Sequence, residues 1–394
     1  MKIGILGGGQ LARMMALRGA ELGLEICILS DNKNDPAAQV TQNWSAGSID
    51  DTVAVQRFFS GVDAVTFESE FINTKKLESK LNTTLIKKVQ PTPECIGILQ
   101  DRSTQKALLF ENKIPTSPFI VSPDQFQIMD FFKASKSGIV CKKRTNGYDG
   151  YGTFIIRNQQ ELNTFIANNS KTGQFDGREY IAENLVTFSR ELAVSAVRDI
   201  NGHILWTPVV EWKARDSKCW WVKGPVKHKN IDKLKRNLSS LLQKINYIGF
   251  ISFELFDTKK GLFINEVAPR VHNSAHYSLN ALPIDQFQLH LMAIAGLSLK
   301  KMGPNNSTLN PISKSFAMVN LVGKEIAETS KLEVKLKRAL PLISGAGFLH
   351  WYNKDTEKPG RKMGHINVCS SESADKALKK ALSLEKEFFN EFKK

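Results

Sequence analysis

A chain of 394 residues has room for two or three domains, and its 42 % apolar and 24 % charged residues are the balance of an ordinary globular protein. No apolar run approaches the ~20 residues of a membrane span, so no membrane partner is expected. The net charge of +15 raises a nucleic-acid reading, but the lysines are spread beside Asn and Ser, without a helix-turn-helix or an Arg-rich arm; a basic surface equally suits a protein whose ligands are anions.

The first residues enter a strand at 3–6 with no signal-peptide pattern before it. Strands at 3–6, 25–29 and 64–67 alternate with helices at 11–22 and 52–59, the pattern of a Rossmann-like unit. Pro91-Thr92-Pro93 punctuates a boundary before a helix at 101–112. A strand at 138–143 opens into Gly147-Tyr148-Asp149-Gly150-Tyr151-Gly152. Strands at 180–183, 191–198 and 204–210 follow, then a helix at 231–245 and a hairpin. A helix at 283–295 precedes a module of short strands running from after Pro304 to about Val368. The basic amphipathic helix 374–392 carries Leu378, Ala381, Leu382, Phe388, Phe389 and Phe392 on one side and is expected to pack on its own domain. The five cysteines are scattered, odd in number and form no Cys-x-x-Cys, and no His-Glu-x-x-His occurs. Reduced thiols, a cytoplasmic setting and no cysteine-based zinc site are the expectation.

The hairpin is the most informative segment. Two runs rich in Phe and Ile, 249–258 and 262–268, flank Lys259-Lys260-Gly261. A three-residue loop with glycine last centres the hairpin on Lys260 and sets Glu254 opposite Glu266 on one face. Like charges in a cross-strand pair repel, and nothing in the strands offsets them. A magnesium ion would, held by one or two carboxylates and the phosphates of a nucleotide. Two solvated glutamates on a structural hairpin are the plain alternative.

Gly7-Gly8-Gly9-Gln10-Leu11-Ala12 fits the dinucleotide fingerprint, with Asp31 ending the second strand. An NAD-dependent dehydrogenase is therefore a rival, but nothing downstream resembles a hydride-transfer site. The glycines also serve tight strand–helix packing, or a small phosphate at the helix N-terminus. Other stretches point to ATP. Lys142 ends a strand before the glycine-rich loop, where a lysine meets phosphates while loop amides cradle them. Ile181 to Val186 is a strand exit able to read an adenine edge, and Glu191 can accept from ribose hydroxyls.

In that order the segments resemble the ATP-grasp ligases, and within them the N5-carboxyaminoimidazole ribonucleotide synthetase family of purine biosynthesis. The similarity rests on residues 7–14, 101–106, 142–152, 265–274, 351–354 and 359–365, spanning nearly the whole chain. It implies a mixed α/β and α+β fold in three parts. These are a Rossmann-like pre-ATP-grasp domain (1–96), an ATP-grasp domain (97–300, its small lid part about 113–185) and a β-rich C-terminal module (301–394). The implied reaction is ATP-dependent carboxylation of 5-aminoimidazole ribonucleotide by bicarbonate through carboxyphosphate, with ATP and magnesium bound and a homodimer expected.

Residue by residue, the resemblance implies ATP contacts from Arg102, Lys142, Gly147, Tyr148, Asp149, Gly150, Tyr151, Gly152 and Thr153. Glu183, Asn184, Leu185, Val186, Glu191, Asn265 and Glu266 complete that set. Glu254 and Glu266 would hold the metal. Arg270, His272 and Asn273 would hold bicarbonate and the carboxyphosphate, and Asp149 joins them as catalytic. Gln10, Leu11, Glu68, Tyr148, Ser274, Lys354, Arg361 and Lys362 would bind the ribonucleotide. Three departures stand out. Glu68-Ser69-Glu70-Phe71 leaves open which acid meets the substrate amine, Asn146 stands where glycine is frequent, and Lys143 beside Lys142 blurs the phosphate lysine. A formate-dependent glycinamide ribonucleotide enzyme or a biotin carboxylase would keep the two metal acids. The segment from Lys354 to Arg361 and the His272-Asn273-Ser274 run favour the aminoimidazole substrate.

Overall fold

Apolar runs buried on both faces build the N-terminal sheet. Strands β1 (Lys2–Leu6), β2 (Glu25–Ser30), β3 (Trp44–Ala46) and β4 (Ala64–Phe67) pair in parallel, in the order β3-β2-β1-β4. Helices α1 (Gln10–Glu21) and α2 (Thr52–Ser60) connect them. The Asp51 carboxylate accepts from the Ala54 N–H at 3.0 Å and starts α2. The computed structural model describes residues 1–147, 150–171, 174–324, 327–328 and 345–390.

After helices α3 (Pro93–Gln100) and α4 (Arg102–Glu111) comes a four-stranded antiparallel sheet. It contains β5 (Phe119–Val121), β6 (Ile139–Lys143), β7 (Thr153–Ile156) and β8 (Tyr180–Asn184), ordered β5-β8-β6-β7. Two helices that the sequence pattern does not single out, α5 (Gln125–Ala134) and α6 (Gln159–Asn168), bury Ile128, Leu162 and Phe165 against it. Asp124 and Asn158 cap their first turns.

The largest sheet has nine strands. They are β9 (Arg190–Arg198), β10 (Ile204–Trp206), β11 (Val210–Arg215), β12 (Lys218–Gly224), β13 (Gly249–Thr258), β14 (Gly261–Ala268), β15 (Ser315–Val322), β16 (Phe348–Trp351) and β17 (Lys362–Ser370). Its order is β14-β13-β9-β11-β12-β15-β17-β16, with β10 on β9. Helices α7 (Ile231–Lys244), α8 (Gln286–Ile294) and α9 (Ala374–Asn390) pack on it.

Three expectations change here. The strand expected at 204–210 ends at Trp206, because Pro208 lacks the N–H a ladder needs. The helix expected from 283 begins at Gln286, since the Asp285 carboxylate accepts from the N–H groups of Phe287 and Gln288. The C-terminal strands are neither all short nor set apart. The eight-residue β15 pairs with β12 from Trp221↔Val319 to Gly224↔Phe316, so one sheet runs on into the C-terminal residues. Ala377, Ala381, Leu384 and Phe388 of α9 seal that end over Val319, Leu321, Ile366 and Val368. Phe392 lies outside the described residues. Among the described residues no helix is long and apolar enough to cross a membrane.

The hairpin β13–β14 keeps the expected pair by a different route. Its last pair is Thr258↔Gly261, so the loop is the two residues Lys259-Lys260 rather than three. Thr258 Oγ1 accepts from the Lys260 N–H at 3.1 Å, and Gly261 has a φ of 116°. A regular ladder from that turn would set Glu254 against Asn265. A bulge between Glu254 and Leu255 shifts the register by one and restores Glu254↔Glu266.

Candidate active site

The nine-stranded sheet, the four-stranded sheet and the C-terminal end of the parallel sheet enclose a cavity of about 530 Å³. The bulge decides what enters it. Neighbours on a regular strand point to opposite faces, yet Asn265 and Glu266 both line the cavity, with Glu254 across from them. Arg102, the first residue of α4, donates to Glu266 Oε1 at 3.1 Å and to the carbonyls of Lys143 and Gly147. The repulsion inferred from sequence is thus met on one side by a residue outside the hairpin. Glu254 has no such relief. Burial first, then Glu266 and Glu191, push its proton affinity up to about 8. The nearest cationic candidate, His272 Nε2, is 3.9 Å from Glu254 Oε1, and burial holds that ring neutral. A pair of carboxylates with one uncompensated member fits a hard divalent cation, and among the described residues no group of three or more His, Cys, Asp or Glu offers an alternative metal site.

A second layer fixes the lysine. Lys142 reaches Glu183 Oε1 at 3.0 Å and Asn265 Oδ1 at 3.1 Å. Glu183 is buried and also takes Lys106 Nζ at 2.8 Å and the Ser117 hydroxyl. Burial alone would raise the Glu183 pKa; Lys106, then Lys142, hold it well below the usual carboxylate range. Its side chain thereby locks both lysines in place, and Glu183, Asn184, Leu185 and Val186 all line the cavity. Lys143 points elsewhere, 5.7 Å over the Tyr151 ring, so Lys142 is the cavity lysine. Asn146 takes the left-handed φ of 58° that asparagine tolerates where glycine is usual. Beyond Lys142 the wall turns apolar with Val140, Phe188, Trp212 and Phe256. Phe188 stacks on Phe256 at 4.5 Å and 10°. Glu191 sits beside them, raised by burial to about 7. Cations for a polyphosphate at one end and aromatic walls at the other describe a nucleotide-sized site.

At the far end lie Gln10, Leu11, Glu68, Arg270, His272, Asn273 and Lys362. The two acids of the Glu68-Ser69-Glu70 run separate clearly. Glu70 grips Arg270 through two bonds, Nη2 to Oε1 at 2.8 Å and Nε to Oε2. Glu68 instead turns to the start of α1, where Oε2 accepts from the Ala12 N–H at 3.2 Å, and Gly9 also donates. A Cβ on Gly9 would meet Glu68 at 2.4 Å, which explains the glycine. The helix N-terminus that would receive a dinucleotide pyrophosphate is filled by the chain's own carboxylate, and Asp31 is exposed. The NAD reading has no site.

Ser274 is buried off the cavity wall, its hydroxyl 2.9 Å from His272 Nδ1. Asn273 is oriented by Asn320, a fully buried residue of β15, through reciprocal amide bonds of 2.7 and 3.0 Å. Asn320 Nδ2 also donates to the Cys219 carbonyl at 2.8 Å, which fixes both amides. Of the residues expected to bind ligands, Gly147, Gly150 and Thr153 line the cavity, whereas Tyr151, Gly152, Lys354 and Arg361 do not. Lys354 is near enough for its charge to act on Glu68, and Arg361 donates to the Thr356 carbonyl at 2.8 Å. Tyr148 and Asp149 lie outside the described residues. Sequence reading missed Lys106, Phe188, Trp212, Phe256, Gln286 and Asn320. Only Asn320, a polar residue within the apolar run Met318-Val319-Asn320-Leu321, carried a signal.

Comparison with known proteins agrees with this geometry. Family profiles match in order along the chain: the ribonucleotide synthetase preATP-grasp domain at 1–100, the ATP-grasp domain at 107–287, and the phosphoribosylaminoimidazole carboxylase C-terminal domain at 317–380. The N5-carboxyaminoimidazole ribonucleotide synthase of Synechococcus elongatus is 33 % identical over 371 residues, covering 93 % of this chain and 89 % of that protein. The crystal structure of N5-carboxyaminoimidazole synthetase from Staphylococcus aureus with ADP aligns with a TM-score of 0.84 at 27 % identity, covering 98 % of this chain and 96 % of that one. The Aspergillus clavatus enzyme in complex with ADP and 5-aminoimidazole ribonucleotide gives 0.82 at 25 % identity, with 98 % of both chains covered. The chain belongs to the N5-carboxyaminoimidazole ribonucleotide synthase family of ATP-grasp enzymes.

Proposed function

We propose that the residues around this cavity divide the family's reaction, the ATP-dependent carboxylation of 5-aminoimidazole ribonucleotide in purine biosynthesis, as follows. The base lies against Phe188, Trp212 and Phe256, with Asn184 to Val186 at its edge and Glu191 on the ribose. Lys142, Arg102, Gly147, Gly150 and Thr153 face the phosphates. Glu254 and Glu266 would hold magnesium, which when bound neutralises charge on the transferred phosphoryl group. Arg270, held by Glu70, orients bicarbonate with His272 and Asn273. A bicarbonate oxygen attacks the γ-phosphorus, ADP leaves, and the carboxyphosphate so formed is attacked by the exocyclic amine. Phosphate departs as the new C–N bond forms, and the amine proton passes to Glu68, the acid that Arg270 leaves unclaimed.

Tyr148, Asp149, Lys354, Arg361 and Lys362 serve the ribonucleotide in this reading, the last three on its phosphate, and Ser274, expected there too, acts from behind the wall by holding His272. The three-part division at residues 96 and 300, a homodimer and a cytoplasmic setting belong to the same proposal. The observation that carries it is the facing Glu254 and Glu266, with burial first and then the neighbouring carboxylates raising the proton affinity of Glu254 to about 8. Phosphate release from ATP that needs both aminoimidazole ribonucleotide and bicarbonate is the expected result. Release supported by formate or biotin in their place would refute the assignment.

A further inference from the structure

One side chain on the cavity wall has no part in this scheme. His276 follows the His272–Ser274 turn, is only 1 % exposed, and lines the cavity with Arg270, Asn273 and Lys362. Its proton is located by a partner that is itself fixed. The peptide N–H of His272 can only donate, and it does so to Gln286 Oε1 at 2.7 Å. The NH2 end of that amide must then face His276 Nδ1, at 2.8 Å. Nδ1 is the acceptor, so the neutral ring carries its proton on Nε2. Gln286 is fully buried and cannot turn over without opposing two N–H groups.

The ring is also held against rotation, tilted on Phe287 at 5.7 Å and on His365 at 4.9 Å. Burial first, then Lys362, His350 and Arg270, keep it neutral. Among the described residues Nε2 has no protein partner, and it is not one of the sealed core atoms that lack one. Its N–H therefore opens on the cavity. A fixed neutral donor beside a lysine and an arginine is suited to an anion.

We propose that His276 is a further substrate-contacting residue, donating a hydrogen bond from Nε2 to an anionic oxygen bound beside Lys362 and Arg270. The inference rests on the function proposed above. The oxygen belongs to a phosphoryl or carboxyl group, supplied either by the phosphate of the ribonucleotide or by bicarbonate and the carboxyphosphate made from it. His276 contributes without giving up its proton, as a donor complementary to charge already present.

Steady-state kinetics of the whole enzyme and of His276→Leu and His276→Gln, with ATP, bicarbonate and ribonucleotide varied in turn, test this. A hydrogen bond to a charged group corresponds to about 10- to 100-fold. His276→Leu should raise the KM for one anionic substrate by that factor and leave the KM for ATP unchanged. A rise for the ribonucleotide identifies its phosphate; a fall in kcat with a higher KM for bicarbonate identifies the carboxyphosphate. His276→Gln, which keeps an N–H donor, should recover most of the loss, and both variants should melt with the parent. Unchanged constants in His276→Leu, or equal damage in both variants, would overturn the proposal. A parent enzyme lacking ribonucleotide-dependent phosphate release would instead refute the functional assignment on which it stands.

Discussion

Glu70 and Lys106 show how individual residues act on this site through others. Glu70 binds Arg270 in a two-point grip, the geometry that fixes a guanidinium in one plane. In Glu70→Gln the second point becomes a donor facing a donor. The kcat/KM for bicarbonate should fall by about 10- to 100-fold, the worth of a charge-assisted bond, while the KM for ATP holds. An unchanged dependence on bicarbonate would show that Arg270 needs no such partner. Lys106 is buried with Glu183, Thr116 and Ser117 around its ammonium. Lys106→Met leaves Glu183 short of a cation, and breaking a buried pair costs about 3–5 kcal/mol. Chemical denaturation of that variant should show the loss, and an unshifted midpoint would deny the lock. Neither partnership was legible in the sequence, because both join positions far apart in the chain.

Among the elements, the hairpin β13–β14 is the part where sequence reading succeeded for an incomplete reason. The pairing of Glu254 with Glu266 was expected from a three-residue loop, and the structure reaches it with a two-residue loop and a bulge. Glycine and lysine in a turn mark its place but not its length, and a bulge leaves no mark on residue type. The bulge does more than restore register, since it turns two consecutive side chains, Asn265 and Glu266, into one cavity. Deleting Asn265 should give a regular ladder that keeps both glutamates facing. Metal-dependent nucleotide binding should survive, with the KM for ATP raised on the order of 10-fold as Lys142 loses a partner. A folded variant unable to bind the metal–nucleotide pair would contradict this account of the bulge. The helices α5 and α6 were illegible for a different reason: their buried faces are too short to impose a period. The N-terminal strands were legible because apolar runs bounded by glycine admit few alternatives.

Across the molecule, one buried histidine pins two units together. His290 Nδ1 accepts from the Phe250 N–H at 3.0 Å, so Nε2 carries the proton and donates to Thr66 Oγ1 at 2.8 Å. It thus ties β4 of the parallel sheet to β13 of the large sheet. Burial lowers its pKa to about 4. Above about 6.5 the ring is neutral in both folded and unfolded chains and the pH has no effect through it. Below that value only the unfolded chain takes up the proton, so stability is lost as pH falls from about 6.5 towards 4. Replacing it by His290→Gln should make the dependence of stability on pH in that window shallower by about one proton, about 1.4 kcal/mol per pH unit. Parallel curves for parent and variant would show that His290 titrates freely.

The same whole-molecule view makes the facing glutamates the centre of the enzyme, because the three larger sheets converge on the cavity they line. Electron paramagnetic resonance of Mn²⁺ titrated with ADP reports that centre directly. The parent should bind one nucleotide-dependent ion, Glu266→Gln should lose it, and turnover should fall by on the order of 10²–10³, as for removal of one preorganised electrostatic group. An ion bound equally well by the variant would place the metal elsewhere and contradict the account.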